Sequence, residues 1–108
     1  MKLPTEIFGS VIVVHVPEEL GGEQRDEFSG YVTGLERQNV VLDLDATETV
    51  DSKGLEAILE VQDTLREQAG DVKISTSNAM NRKIFEVTRL DDQLEVFDSV
   101  IDAVKSFQ

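Results

Sequence analysis

An apolar run, Val40-Val41-Leu42-Asp43-Leu44, passes through an acidic loop, Asp45-Ala46-Thr47-Glu48-Thr49-Val50, into Asp51-Ser52-Lys53-Gly54-Leu55, the opening of an amphipathic segment. Near-continuous apolar character reads as a strand buried on both faces, the pattern of a central strand. Behind the loop, Leu55, Ile58, Leu59, Gln62 and Leu65 fall along one side of a helix, with Glu56, Glu60, Asp63 and Glu67 largely elsewhere. A buried strand that turns directly into a helix constrains everything downstream. The helix must pack back on the sheet, and right-handed crossovers then gather the strand-to-helix loops, including those with Ser52 and Ser77, on a common edge.

The flanking segments fit that scheme. Ile7 to Val16 is an extended region with a turn at Gly9-Ser10, and Pro17 stops it. After Gly21-Gly22, a helix is expected over residues 23 to 37, with Phe28, Tyr31, Val32 and Leu35 at the spacing of one buried face. Gly30 and Gly34 lie inside that expected helix, where close packing and local mobility both remain open. Gly70 is expected to end the helix after Ser52. Val72 to Thr76 reads as a strand, and Ser77-Asn78 offers an N-cap to a helix lined by Met80, Ile84, Val87 and Leu90. Leu94 to Phe97 reads as a short strand. Asp98 or Ser99 can cap a last helix with Ile101, Val104 and Phe107 facing inward. Strands alternating with helices predict an α/β domain with a mostly parallel or mixed sheet.

Composition narrows the function classes. At 108 residues the chain, residues 1–108, has room for one domain. A net charge of −12, with 22 acids against 10 bases and no basic cluster, disfavours direct nucleic-acid binding, because phosphates would be repelled. The same charge serves solubility or steers a basic partner. No apolar run approaches the roughly 18 residues that mark a membrane span. The Met1–Glu6 segment lacks the apolar stretch of a secretory signal, so the cytoplasm is the expected location. Cysteine is absent, which removes disulfides and thiolate metal sites.

The strand, the acidic loop and Asp51-Ser52-Lys53-Gly54-Leu55 with its amphipathic helix resemble the STAS domain, named for sulphate transporters and anti-sigma factor antagonists. The resemblance continues in Val72-Lys73-Ile74-Ser75, in Ala79 through Leu90 and in Leu94-Glu95-Val96-Phe97-Asp98-Ser99, so it covers most of the chain. It implies a small mixed sheet with about four helices packed mainly on one side and the Asp-Ser loop exposed at one end. It also implies a protein-binding module that is not an enzyme and has no cofactor. In antagonists of the family, the unphosphorylated protein sequesters an anti-sigma factor that is also a serine kinase, and phosphorylation releases the complex. A monomer or weak dimer is expected. The alternative within the family is an unphosphorylated adaptor subunit of a larger assembly, such as a lipid-transport ATPase complex or a multi-STAS signalling scaffold.

Ser52 therefore carries two readings. As structure it caps the helix, its oxygen accepting from a backbone N–H. As function it is a phosphoacceptor, where about two negative charges would alter a partner's contact surface. The family's antagonists usually carry a second serine or threonine after the first, and here that position is Lys53, either an idle exposed residue or a cation for a Ser52 phosphate. Asp51 can cap or supply charge favourable to the helix dipole. Gly54 permits close approach of a partner or of the helix to the sheet, and Leu55 is expected in the core. Asp51, Ser52, Lys53, Gly54 and Glu56 make up the candidate partner-binding set. Asp43, Asp45, Glu48 and Asp51 suggest a metal cluster at first sight, but their spacing fails the calcium-loop pattern. His15, the single histidine, lies in a β-branched strand where a structural role is favoured over catalysis. Phosphate-binding glycine loops are missing.

Overall fold

Gly9, at φ 62, and Ser10 reverse the first extended run into a hairpin, so β1 (Thr5–Phe8) pairs antiparallel with β2 (Val11–His15). The computed structural model describes residues 1–108. Beyond the hairpin, β3 (Glu19–Leu20), α1 (Arg25–Thr33), β4 (Asn39–Asp43), β5 (Thr49–Val50), α2 (Ser52–Glu67), β6 (Asp71–Ser75), α3 (Ala79–Val87), β7 (Val96–Phe97) and α4 (Val100–Lys105) follow. The main sheet has the order β1-β2-β4-β6-β7, parallel except at its first pair, and β3 pairs parallel with β5 in a separate ribbon.

The apolar run around Val41 lies at the centre of this sheet, with β2 and β6 on either side. Period-two alternation sends Val40 and Leu42 into the main core with Phe28, Val32, Ile58, Val61 and Leu65. Val41 faces the opposite way, against Ala103 and Val104 of α4. Three helices thus cover one face and a single short helix the other. The sheet is mixed and its helices lie mainly on one side, as expected.

Several helical details differ from the sequence expectation. Helix α1 stops at Thr33, short of residue 37, because Gly34 serves as its C-cap and Glu36 adopts a left-handed φ of 57. Gly34 is therefore outside the helix, and a side chain at Gly30 would point into open space, so close packing does not explain that glycine. In α2 the buried face is centred on Ala57, Ile58, Val61, Gln62 and Leu65, leaving Leu55 only half-buried at the rim of the core.

Helix α3 is turned away from its expected face. Asn81 and Phe85 are buried, whereas Met80 is 73% and Val87 69% exposed. The reason is polar: Asn81 Nδ2 donates to the carbonyls of Leu44, 3.2 Å, and Thr47, 3.0 Å, adding to the Thr47 N–H bond that Leu44 O already accepts and giving the Thr47 carbonyl its partner. That double bond sets the rotation of the helix, and Phe85 follows one turn later. In α4, Ser99 is the cap and Ala103 and Val104 meet the sheet, while Ile101 is exposed rather than inward-facing. Lys73, on the sheet face beneath α4, holds the end of that helix by donating to Ser106 O at 3.2 Å and Ser106 Oγ at 2.8 Å. Its ammonium also lies 4.3 Å from the centre of the Phe107 ring, within cation–π range.

The end of α2 shows a conformational cost. Gly70 N–H donates to Leu65 O and Ala69 N–H to Arg66 O, the paired bonds of a Schellman motif. The left-handed residue is Ala69, φ 64, not Gly70. Gly70 is required for a different reason, since a Cβ there would collide with the backbone of Gln38. Ala69→Gly should therefore stabilise the protein by about 0.5–1 kcal/mol, relieving a left-handed alanine against a more flexible unfolded chain. Chemical denaturation checks this; a destabilised variant would contradict it.

Candidate functional site: the loop between β4 and α2

At the end of β4 the chain has to travel from the sheet to the start of α2, and buried hydrogen bonds define its route. Thr47 Oγ1 donates to Val16 O, 3.2 Å, and Pro17 O, 2.8 Å, tying the loop to the segment after β2. The β3–β5 ribbon continues the attachment, and Asp51 N–H donates to Leu20 O at 3.2 Å.

Asp51 is the hub of the site. Its Oδ1 accepts from Gly54 N at 2.9 Å, which caps α2, and its Oδ2 accepts from Gly22 N at 3.1 Å, which pins the Gly21-Gly22 turn. One carboxylate thus satisfies orphan donors in two loops, and its charge suits the positive end of the helix dipole. Both neighbouring glycines are obligatory for space. A Cβ on Gly21 would overlap the Asp51 carboxylate, and one on Gly54 would overlap the Leu20 carbonyl. Gly54 is buried, so the close approach it permits is that of helix to ribbon.

With Asp51 as cap, Ser52 is not the cap expected as its structural role. It is the first residue of α2, exposed, and its hydroxyl has no hydrogen-bond partner within the fold. Lys53 is also exposed, its Nζ 3.7 Å from Glu56 Oε2. Glu56 accepts as well from Arg25 Nε at 3.2 Å, and Arg25 reaches Asp26 at 2.7 Å and Glu60 at 3.1 Å. The ion pairs link the start of α1 to the first turns of α2. Beside them lies an open depression of about 350 Å³, floored by Gly21, Gly22, Thr49 and Asp51, with Leu20 its one apolar residue. Such a polar, open surface suits contact with a protein partner better than retention of a small apolar ligand.

Of the four acids that suggested a metal cluster, Asp43, Asp45 and Asp51 are engaged in separate tasks. Asp43 Oδ1 accepts from Asp45 N at 3.0 Å, and Asp45 Oδ1 accepts from both the N–H of Ser77 at 2.6 Å and its hydroxyl at 3.1 Å. Asp45 thereby joins the Ser52 and Ser77 loops at the common sheet edge. The cap of α3 is Asn78, accepting from Met80 N and Asn81 N. His15 lies between two carboxylates, Nδ1 2.8 Å from Asp43 and Nε2 2.7 Å from Glu6. Partial burial alone would lower its pKa, but the hydrogen bonds and charges of Glu6 and Asp43 outweigh this and raise it above the ordinary value.

A raised folded-state pKa means that the folded protein holds this proton more tightly than the unfolded chain does. Stability from His15 is therefore fully present below about 6.5, the unfolded value, and is lost as pH rises through the folded pKa. Urea unfolding followed from pH 6 upward should show this fall, and His15→Gln should remove it. An unchanged pH profile in the variant would contradict the assignment.

Of the candidate residues, Asp51, Ser52, Lys53, Gly54 and Glu56 are brought together at one helix start. Leu20, Gly21, Gly22 and Arg25 complete the surroundings without having been singled out from sequence. The Gly21-Gly22 pair was the available signal, since consecutive glycines mark backbone that needs unusual φ values. Here they are 152 and 55.

A mixed sheet with this helix arrangement and an Asp-Ser loop at its edge defines a small α/β domain, and the family model of the STAS domain matches residues 2–103. The chain belongs to the STAS domain family. Among solved structures, it is similar to a Thermotoga maritima protein described as a candidate anti-sigma factor antagonist, at 20% identity over 96% of this chain and 92% of that one, TM-score 0.86. It is similar to the Bacillus anti-sigma factor antagonist SpoIIAA in its unphosphorylated form, at 14% identity over 98% and 96%, TM-score 0.79. A sulfate transporter family protein from Wolinella succinogenes matches at 16% identity over 94% and 87%, TM-score 0.77. At these identities the likeness is one of fold. No curated protein matches the sequence.

Proposed function

We propose that this chain is an anti-sigma factor antagonist-like binding module that sequesters an anti-sigma factor with serine kinase activity, and that phosphorylation of Ser52 releases it. The observation that carries the proposal is the state of Ser52: an exposed hydroxyl without a partner, held at the first turn of α2 by the Asp51 cap. A cap engaged in its own helix would have to break a bond before transfer, whereas this hydroxyl is free to meet a γ-phosphate. Asp51, Lys53 and Glu56 supply the charged surroundings and Gly54 the loop geometry. The added phosphate would lie beside Lys53 and four residues before Glu56, so it would redistribute the Lys53–Glu56–Arg25 ion pairs that face the partner. The proposed role is one of binding, and no helix of the chain is long and apolar enough to cross a membrane.

The experiment is reconstitution with the serine-kinase anti-sigma factors encoded in the same genome. Ser52→Ala should retain binding, and Ser52→Glu should weaken it at least tenfold (about 1.4 kcal/mol) in calorimetric titration. Equal binding by the two variants, or no binding to any such kinase, would contradict the proposal.

A second reading is favoured by Lys53, which stands where the antagonists usually carry a second hydroxyl, and by the structural likeness to a sulfate transporter family protein. In it the chain is a non-switching adaptor in a larger assembly. Partner identity separates the two: an ATPase transport subunit or another STAS protein supports the adaptor.

A further inference from the structure

Two carboxylates from different strands hold His15 between them. Its Nε2 lies 2.7 Å from Glu6 Oε1 on β1, and its Nδ1 lies 2.8 Å from Asp43 Oδ2 on β4. Carboxylates only accept, so both bonds exist together only while both ring nitrogens carry protons and the ring is an imidazolium. Neutral imidazole keeps one N–H and turns a lone pair toward the other carboxylate. One cation against two anions then becomes two anions alone, and neither carboxylate has a lysine or arginine partner to offset the repulsion.

The surroundings decide which bond gives way. The Asp43 side chain is 13% exposed and its other oxygen accepts from Asp45 N–H at 3.0 Å, so it is fixed in place. Glu6 is 55% exposed and stands on an edge strand that pairs only with β2 and has no buried residue. Water can take up the Glu6 carboxylate, whereas Asp43 without His15 would be a poorly solvated charge. No other charge faces the ring: the residue beside Asp43 on β6 is Ser75, and no group of α4, the helix over this side of the sheet, acts on it. We propose that Glu6, His15 and Asp43 form a proton-controlled latch on β1: loss of one His15 proton releases Glu6, leaves the remaining proton on Nδ1 bonded to Asp43, and loosens the start of the edge strand. That start is tied to β2 by the His15 N–H, which donates to Pro4 O at 2.9 Å. Partial burial opposes the charged ring, but Glu6 and Asp43 outweigh it, so the latch stays closed past the ordinary histidine value and opens as pH rises through the folded-state pKa. The loop after β4 is spared, because Asp43 keeps both its bonds and Asp45 keeps its hold on Ser77. The latch therefore acts apart from Ser52 and does not rest on its phosphorylation.

The test is a pH titration of isotope-labelled protein followed by NMR. The imidazole nitrogen shifts should show both nitrogens protonated at the acid end, then Nε2 losing its proton while Nδ1 keeps it, and the Glu6 carboxyl carbon should respond with the same midpoint. Protection of the His15 amide against hydrogen exchange, corrected for the intrinsic rate, should fall about threefold or more across that midpoint, whereas the Asp45 and Ser77 amides should keep theirs. Glu6→Gln uncouples the latch: the amide side chain can accept from Nε2–H or donate to bare Nε2, so the bond persists in both states and the fall in protection should vanish. This is a surface change, and unaltered dispersion of the remaining amides shows that the variant is folded. A neutral ring with its proton on Nε2, a Glu6 carboxyl that does not respond, or a ring that stays protonated wherever the protein is folded would each overturn the inference. So would protection of the His15 amide that is unchanged across the titration, or that falls equally in Glu6→Gln.

Discussion

Phe85→Ala should lower the unfolding free energy by about 3–5 kcal/mol, while Val87→Ser, two residues away on the same helix, should change it by less than about 0.5 kcal/mol. Hydropathy alone treats the two positions alike. Phe85 is buried in the main core together with Leu42 of β4, Ile74 of β6 and the loop residues Leu44 and Leu94, so truncation removes an aromatic ring and leaves a cavity in that core. Val87 is 69% exposed, so removing its methyl groups changes little that folding had buried. Serine and valine also differ little in helix propensity. Urea denaturation of the two variants measures the contrast directly. Comparable losses at both positions would mean that α3 is rotated from the orientation described.

Gly54→Ala should destabilise the protein by about 1–3 kcal/mol, although alanine is the better helix former by about 1 kcal/mol. The new methyl group would meet the Leu20 carbonyl, which is itself occupied in accepting from Asp51 N–H. Backbone cannot give way as a flexible side-chain tip can. Either α2 tilts off the β3–β5 ribbon or the Asp51 cap opens, and both displace Ser52. Gly30→Ala is the control: its Cβ enters open space within α1, so propensity alone acts and the substitution should stabilise by about 0.5–1 kcal/mol. Opposite signs for two helical Gly→Ala changes are expected in thermal and urea unfolding. Like signs would remove the close approach from the account of the site.

The same contrast explains how much of this protein was legible in its sequence. The Val40–Leu44 run, with apolar side chains on both of its faces, identified the central strand, and the strand-to-helix order placed the Ser52 and Ser77 loops at one edge. Asp51 was recognised as a possible cap. What was not legible depended on partners far along the chain. The rotation of α3 follows from two carbonyls at Leu44 and Thr47, more than thirty residues before Asn81, which no local periodicity records. Gly70 looked like a helix stop because glycine usually takes the left-handed position, whereas here Gln38 excludes a side chain from it and Ala69 bears the strain. Two-residue strands such as β3 and β5 are too short to show alternation. Lys73 sat unremarked in an apolar strand, its task visible only once Ser106 and Phe107 were placed against it.

The central claim concerns one hydroxyl, and the most direct measurement is peptide mass spectrometry of the protein isolated from its own cells across growth and stress conditions, with and without phosphatase treatment. The account predicts a fraction carrying a single phosphoryl group on Ser52, removed by phosphatase and absent from Ser52→Ala. Protein free of phosphate in every condition, or phosphorylated only at another residue, would contradict the switch and leave the constitutive adaptor as the better description.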